Sequence, residues 1–89
     1  MNPQDNEQLR LAVRDVLYAR QGTALPAHGI RRRVATEIDF KCELADVEAA
    51  LEFWRSFPTG PQVAFDFDEA GNTKWWRITA AGVLAKERS

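Results

Sequence analysis

The chain reads as an α+β domain, mostly α, with a three-helix core, a two-stranded β-hairpin and a short C-terminal helix. Three observations predict this. Residues 1–57 hold three segments whose apolar residues recur with helical spacing. Val63–Phe67 and Thr73–Ile78 alternate around the polar run Asp68-Glu69-Ala70-Gly71-Asn72, the pattern of two strands joined by a turn. Thr79 then stands where it can cap a last helix. With 89 residues and no repeat, low-complexity tract or internal linker, residues 1–89 are expected to form one domain around one small core.

The first helix is expected to begin at Asp5, whose carboxylate can cap the first turn while Gln8 completes a capping box. Leu9, Ala12, Val13, Val16, Leu17 and Arg20 follow the helical period, and Gly22 suits a left-handed C-terminal cap. Pro26 forbids a helix through Thr23–Pro26, which leaves one extended segment, an edge strand. A second helix is expected over 27–37, with Ile30, Val34 and Ile38 inward and Arg31, Arg32 and Arg33 on its outer arc. Asp39–Cys42 makes a turn with a buried aromatic.

The third helix should run from Glu43 to Ser56. Leu44, Val47, Ala50, Leu51, Trp54 and Phe57 fall in one arc with Phe53 at its edge, and Pro58-Thr59-Gly60-Pro61 stops it. In the hairpin Val63, Phe65 and Phe67 share a face with Trp76 and Ile78, which leaves Trp75 on the more exposed side. The last helix, through Glu87, should pack Val83 and Leu84 inward.

Composition excludes several classes. The polar, acidic amino terminus is not a secretory signal, and no apolar run approaches the roughly 20 residues that cross a bilayer, so no membrane partner is expected. A single cysteine forbids an internal disulfide and fits a reducing, cytoplasmic setting. The net charge of −1 hides a split: residues 1–33 carry six Arg against Asp5, Glu7 and Asp15, while residues 34–89 carry six Lys or Arg against ten carboxylates. Such asymmetry bears on partners rather than on fold.

The order of elements resembles winged helix-turn-helix domains. The residues that carry the resemblance are Leu25–Ile30 entering the second helix, Asp46-Val47-Glu48-Ala49-Ala50-Leu51 in the third, and Trp76-Arg77-Ile78-Thr79-Ala80-Ala81-Gly82 leaving the hairpin. That heptapeptide is similar to the strand-to-helix junction of many bacterial winged-helix regulators, and the likeness covers about residues 7–87. The resemblance implies a third helix in the DNA major groove and a hairpin wing on the backbone or minor groove. The groove-facing positions would be Ala45, Glu48, Ala49, Glu52, Arg55 and Ser56, and the wing contacts would come from Asp68–Lys74. Here the chain departs from the pattern: these positions are rich in carboxylates, whereas affinity for DNA rests largely on Lys and Arg at phosphates.

Two functions follow as expectations. The first is a small DNA-binding protein, a transcriptional regulator or accessory factor acting on double-stranded DNA, able to work as a homodimer. Arg31, Arg32 and Arg33 would then lie on phosphates, Glu52 and Arg55 at base edges and Lys74 at the wing. The second is a protein-interaction module whose acidic third helix and wing meet a basic partner, with Trp75 as apolar anchor. Phe53 either completes the core or, with Phe57 and Trp54, offers a patch to a second copy. His28 and Cys42 supply too few ligands for a metal site, so no metal or cofactor is expected. Cys42, near a helix start, is a remote candidate for redox sensing. The carboxylate pairs Glu48/Glu52 and Asp66/Asp68 are ordinary solvated faces, and the expectation is a non-enzyme.

Overall fold

The computed structural model describes all residues 1–89 and contains α1 (Pro3–Ala19), β1 (Leu25–Pro26), α2 (Ala27–Val34), α3 (Leu44–Arg55), β2 (Val63–Phe67), β3 (Lys74–Ile78) and α4 (Ala80–Arg88). The three strands form one antiparallel sheet in the order β1-β3-β2, so the extended segment before α2 adds an edge to the hairpin. Pro26, which has no amide to donate, sits on that edge opposite Trp75. No helix is long and apolar enough to cross a membrane.

α1 starts earlier than its Asp5/Gln8 pair suggests. Asn2 is the cap, its Oδ1 accepting from the Asp5 amide at 2.7 Å, and Pro3 takes the first helical position, where a missing N–H costs nothing. Gly22 has φ +84°, the left-handed conformation expected of it, but Arg20 is exposed and does not continue the apolar stripe. α2 stops three residues before the expected Glu37. Beyond Val34 the amides of Thr36, Glu37 and Ile38 bond back to Arg33 and Val34, and the Thr36 hydroxyl donates to the Arg33 carbonyl at 2.8 Å, which closes the chain into turns. α3 begins with Glu43 as its cap, whose amide donates to the Asp46 carboxylate at 2.8 Å.

The core is a contact of α1, α2 and α3 with the sheet: Leu9, Val13 and Leu17 from α1, Ile30 and Val34 from α2, Val47 and Leu51 from α3, and Val63 and Trp76 from the strands. Trp54 closes it between α3 and α1, where its indole N–H donates to the Arg10 carbonyl at 2.7 Å. Arg14 is buried without a carboxylate partner. Its guanidinium donates to Gln62 Oε1 at 3.0 Å and lies 4.8 Å from the Trp54 ring, contacts that partly offset its desolvation.

In the sheet Phe65 stands opposite Trp76 and Asp66 opposite Trp75. Trp76 is 2% exposed against the core and Trp75 is 38% exposed on the outer face, as the alternation predicts. Phe67 shares the Phe65 face but is 56% exposed, because the hairpin extends beyond the helices there. Leu44 is likewise exposed: the first turn of α3 projects past the core that Val47 and Leu51 fill. In α4 only Gly82 is buried, Val83 is half-buried and Leu84 is 50% exposed, so neither apolar residue anchors the helix as expected.

Two other features hold α4. Thr79 accepts from the Gly82 amide and donates to the Pro61 carbonyl at 2.6 Å, while a Cβ on Gly82 would collide with the Gln62 carbonyl oxygen and the Ile78 side chain. The helix start is thus pressed against the chain entering β2. On its far side Lys86 pairs with Asp15 at 3.2 Å, and the Tyr18 hydroxyl donates to Glu87 at 3.0 Å.

The hairpin turn is closed by Asp68, whose Oδ1 accepts from the Asn72 amide at 3.0 Å while Gly71 takes φ +74°. The Asn72 amide, aided by those of Thr73 and Gly71, holds the Asp68 carboxyl below its ordinary value. A lowered folded-state pKa means that the carboxylate stabilises the fold above its unfolded value of about 3.9, and that this is lost as pH falls through the folded value. Asp68→Ala should therefore melt lower than wild type at neutral pH. The gap should narrow on acidification as pH falls through the folded value and the Asp68 carboxyl becomes neutral. Melting curves of both proteins between pH 2 and 7 check this, and a gap independent of pH would contradict it.

Candidate nucleic-acid interface

α2 is short, and its single apolar edge, Gly29, Ile30 and Val34, fixes which way the arginines turn. With Ile30 and Val34 in the core, Arg31 and Arg33 leave on the two flanks and Arg32 points outward between them. Arg31 reaches the start of α3, where its Nε donates to the Cys42 carbonyl at 3.2 Å. Arg33 turns toward α1; its Nη1 donates to the Gly29 carbonyl at 3.1 Å, and its Nε is buried without an acceptor. Arg32 makes no hydrogen bond. None of the three is ion-paired, since Asp15 pairs with Lys86 and neither Glu37 nor Asp39 holds a cation.

Arg20, at the C-terminal end of α1, joins them. It lines a shallow depression of about 500 Å³ with Arg32 and Arg33, rimmed by Val16, Ala19, Thr36 and Glu37. The basic groups therefore run from the end of α1, across α2, to the beginning of α3. Arginines in the last turn of a helix also offset the partial negative charge of its carbonyls, which accounts for part of their placement in α2.

The outward face of α3 is different. Glu52 and Arg55 form a two-pronged pair, with Arg55 Nε at 3.1 and 2.9 Å from the carboxylate oxygens and Nη2 at 2.7 Å. This hydrogen-bonded pairing holds the Glu52 carboxyl below its ordinary value, with Lys74 adding to the effect, and raises the Arg55 guanidinium. The two expected base-reading residues thus answer each other. Lys74 makes no ion pair, and its Nζ lies 4.7 Å from the centre of the Phe65 ring.

Between α3 and the hairpin lies a cleft of about 270 Å³ lined by residues that include His28, Leu44, Glu48, Phe67 and Lys74. Trp75 is on the outer face of the sheet, beside the ion pair of Arg77 with Asp66 at 2.6 Å. Phe53 lies at the edge of the core, edge-on to Trp54 at 5.1 Å and beneath the Arg10 guanidinium at 3.9 Å, far along α3 from this cleft.

Sequence reasoning missed Arg20, assigned there to an apolar stripe, and Phe67 and Leu44, assigned to the core. For Arg20 the available signal was chemical: an arginine after the last apolar residue of a helix is ordinarily solvated.

Cys42 is buried, and burial pushes its thiol above the ordinary value despite the opposing influence of Arg31. Its burial and its raised value both disfavour the accessible thiolate on which redox sensing depends. Reaction with a disulfide reagent at pH 7 should be slow in the folded protein and fast in denaturant; fast labelling of the native state would contradict this placement.

No protein-family model matches the chain, and no curated protein or solved structure matches it.

Proposed function

We propose that the chain is a winged-helix domain that binds double-stranded DNA, serving as a transcriptional regulator or an accessory factor. The order helix, strand, helix, helix, hairpin, helix, with β1 on the sheet edge, supports the fold assignment. Fold alone warrants little about function. The observation that carries the proposal is the run of guanidinium groups Arg20, Arg33, Arg32 and Arg31, none of them ion-paired, which ends beside the start of α3.

These arginines clamp phosphates on one side of the groove and Lys74 does so from the wing, while α3 presents Ala45, Glu48 and Ala49 to base edges. Glu48 accepts from the amino group of cytosine once the phosphate clamps hold the helix in place. Glu52 restrains Arg55 at the margin of this surface.

Fluorescence anisotropy on a duplex of random sequence tests the proposal. Binding is expected at about 50 mM salt and should weaken steeply with added salt, because counterion release drives it. Absence of binding at that salt concentration would remove it. Glu52→Gln should tighten binding severalfold, since it deletes a carboxylate and releases Arg55.

One observation favours a second reading. Leu44 and Phe67 expose apolar surface into a single cleft beside Glu48, a surface suited to a basic, partly apolar protein segment. On that reading the apolar anchor is Phe67 rather than Trp75, which faces away on the outer side of the sheet. Phe67→Ser would then abolish capture of the partner, and Glu52→Gln would weaken it.

A further inference from the structure

A second surface lies at the other end of α3, against the amino-terminal half of α1. Pro3, Glu7, Arg10 and Leu11 meet Phe53 and Phe57 around a hollow of about 420 Å³. Leu11 is 40% exposed although it lies mid-helix, and Phe53 and Phe57 are only half-buried. The platform beneath is held in place: Trp54 donates to the Arg10 carbonyl, Phe53 packs edge-on to both Trp54 and Phe57, and the Arg10 guanidinium stacks 3.9 Å from the Phe53 ring centre. This apolar surface is preformed, so a ligand there meets little ordering cost.

The charges choose the occupant. Glu7 and Arg10 stand about one turn apart on the same helix, the spacing of an ordinary intrahelical pair, yet they make no ion pair with each other or with any other group. A patch that carries one free charge of each sign beside its apolar centre is complementary to itself under a two-fold axis. A two-fold axis near the middle of the Glu7–Arg10 turn brings each Glu7 within reach of the Arg10 of the other copy and packs Leu11 and Phe57 at the border of the shared apolar surface. We infer that this α1–α3 face is a self-association surface and that its occupant is a second copy of this chain. A purely basic or purely acidic partner would leave one of the two charges opposed to its own sign.

The inference is independent of DNA binding, because its residues include none of the arginines assigned to phosphates. Sedimentation velocity over about 10–500 µM, the range in which a small interface dissociates, tests it without nucleic acid. Wild type should shift from monomer to dimer with concentration. Leu11→Glu, an exposed position that leaves the core intact, should weaken the dimer at least tenfold. Glu7→Arg and Arg10→Glu should each weaken it severalfold by opposing like charges, and the double exchange Glu7→Arg/Arg10→Glu should restore it. A monomer at every concentration, a dimer indifferent to Leu11→Glu, or a double exchange no better than the single ones would overturn the inference.

Discussion

Trp76→Ala should lower stability by about 3–5 kcal/mol, the loss typical of a large aromatic removed from a packed interior. The indole is 2% exposed in the central strand, opposite both Leu25 and Phe65, with its ring centre 4.9 Å from that of Phe65. Its removal opens a cavity where all three strands meet the helices. A domain of this size has about 5–15 kcal/mol in total, so the variant should sit near the edge of folding, with a melting temperature lower by roughly 15–30 °C. Trp75→Ala, one residue away on the outer face, should cost no more than about 1 kcal/mol. Thermal and urea unfolding of the two variants measure the difference. Equal losses would mean that the hairpin does not seat Trp76 in the core.

Replacing Arg31, Arg32 and Arg33 together with alanine should nearly abolish DNA binding. Each phosphate left without its guanidinium takes about 0.9 off the slope of log affinity against log salt, which at ~50 mM salt amounts to roughly tenfold in affinity. Two or three such phosphates give a reduction of about 100- to 1000-fold and a slope shallower by about 2–3. Arg20→Ala should free one further phosphate and weaken binding about tenfold, because Arg20 shares a depression with Arg32 and Arg33. The triple variant should stay folded, since Ile30 and Val34 rather than the arginines carry the packing of α2. Unchanged affinity in a folded triple variant would remove these residues from the interface.

Much of the fold was legible because local and global preferences agree. In the hairpin, alternation set Trp76 inward and Trp75 outward, anchored by the nearby Ile78, and the turn chemistry of Asp68 and Gly71 agreed with that register. What periodicity does not contain is how far the core reaches along each element. Leu44 and Phe67 keep apolar spacing but lie at a helix start and a strand end that project beyond the packed centre. Leu84 sits midway along α4, of which only Gly82 is buried, so the pattern placed all three inside and the geometry leaves them in solvent. The start of α1 lies earlier than the Asp5/Gln8 pair predicts for another reason: Asn2 caps the helix and Pro3 takes its first position.

The candidate site divides along the same line. The Arg31–Arg33 triplet was visible as charge on an outer arc, but its junction with Arg20 is tertiary, made when the ends of α1 and α2 meet. The Glu52–Arg55 pair was present in the sequence as a spacing of three residues, yet spacing alone does not show that both prongs are satisfied.

Chemical-shift mapping of the ¹⁵N-labelled protein with a short duplex tests the phosphate clamp most directly. The account predicts perturbations concentrated at Arg20, at Arg31–Arg33, in the first turns of α3 and at Lys74 on the hairpin, with α4 and the Leu11–Phe53 surface silent. Perturbations confined to the outer sheet face around Trp75, or none at low salt, would contradict it.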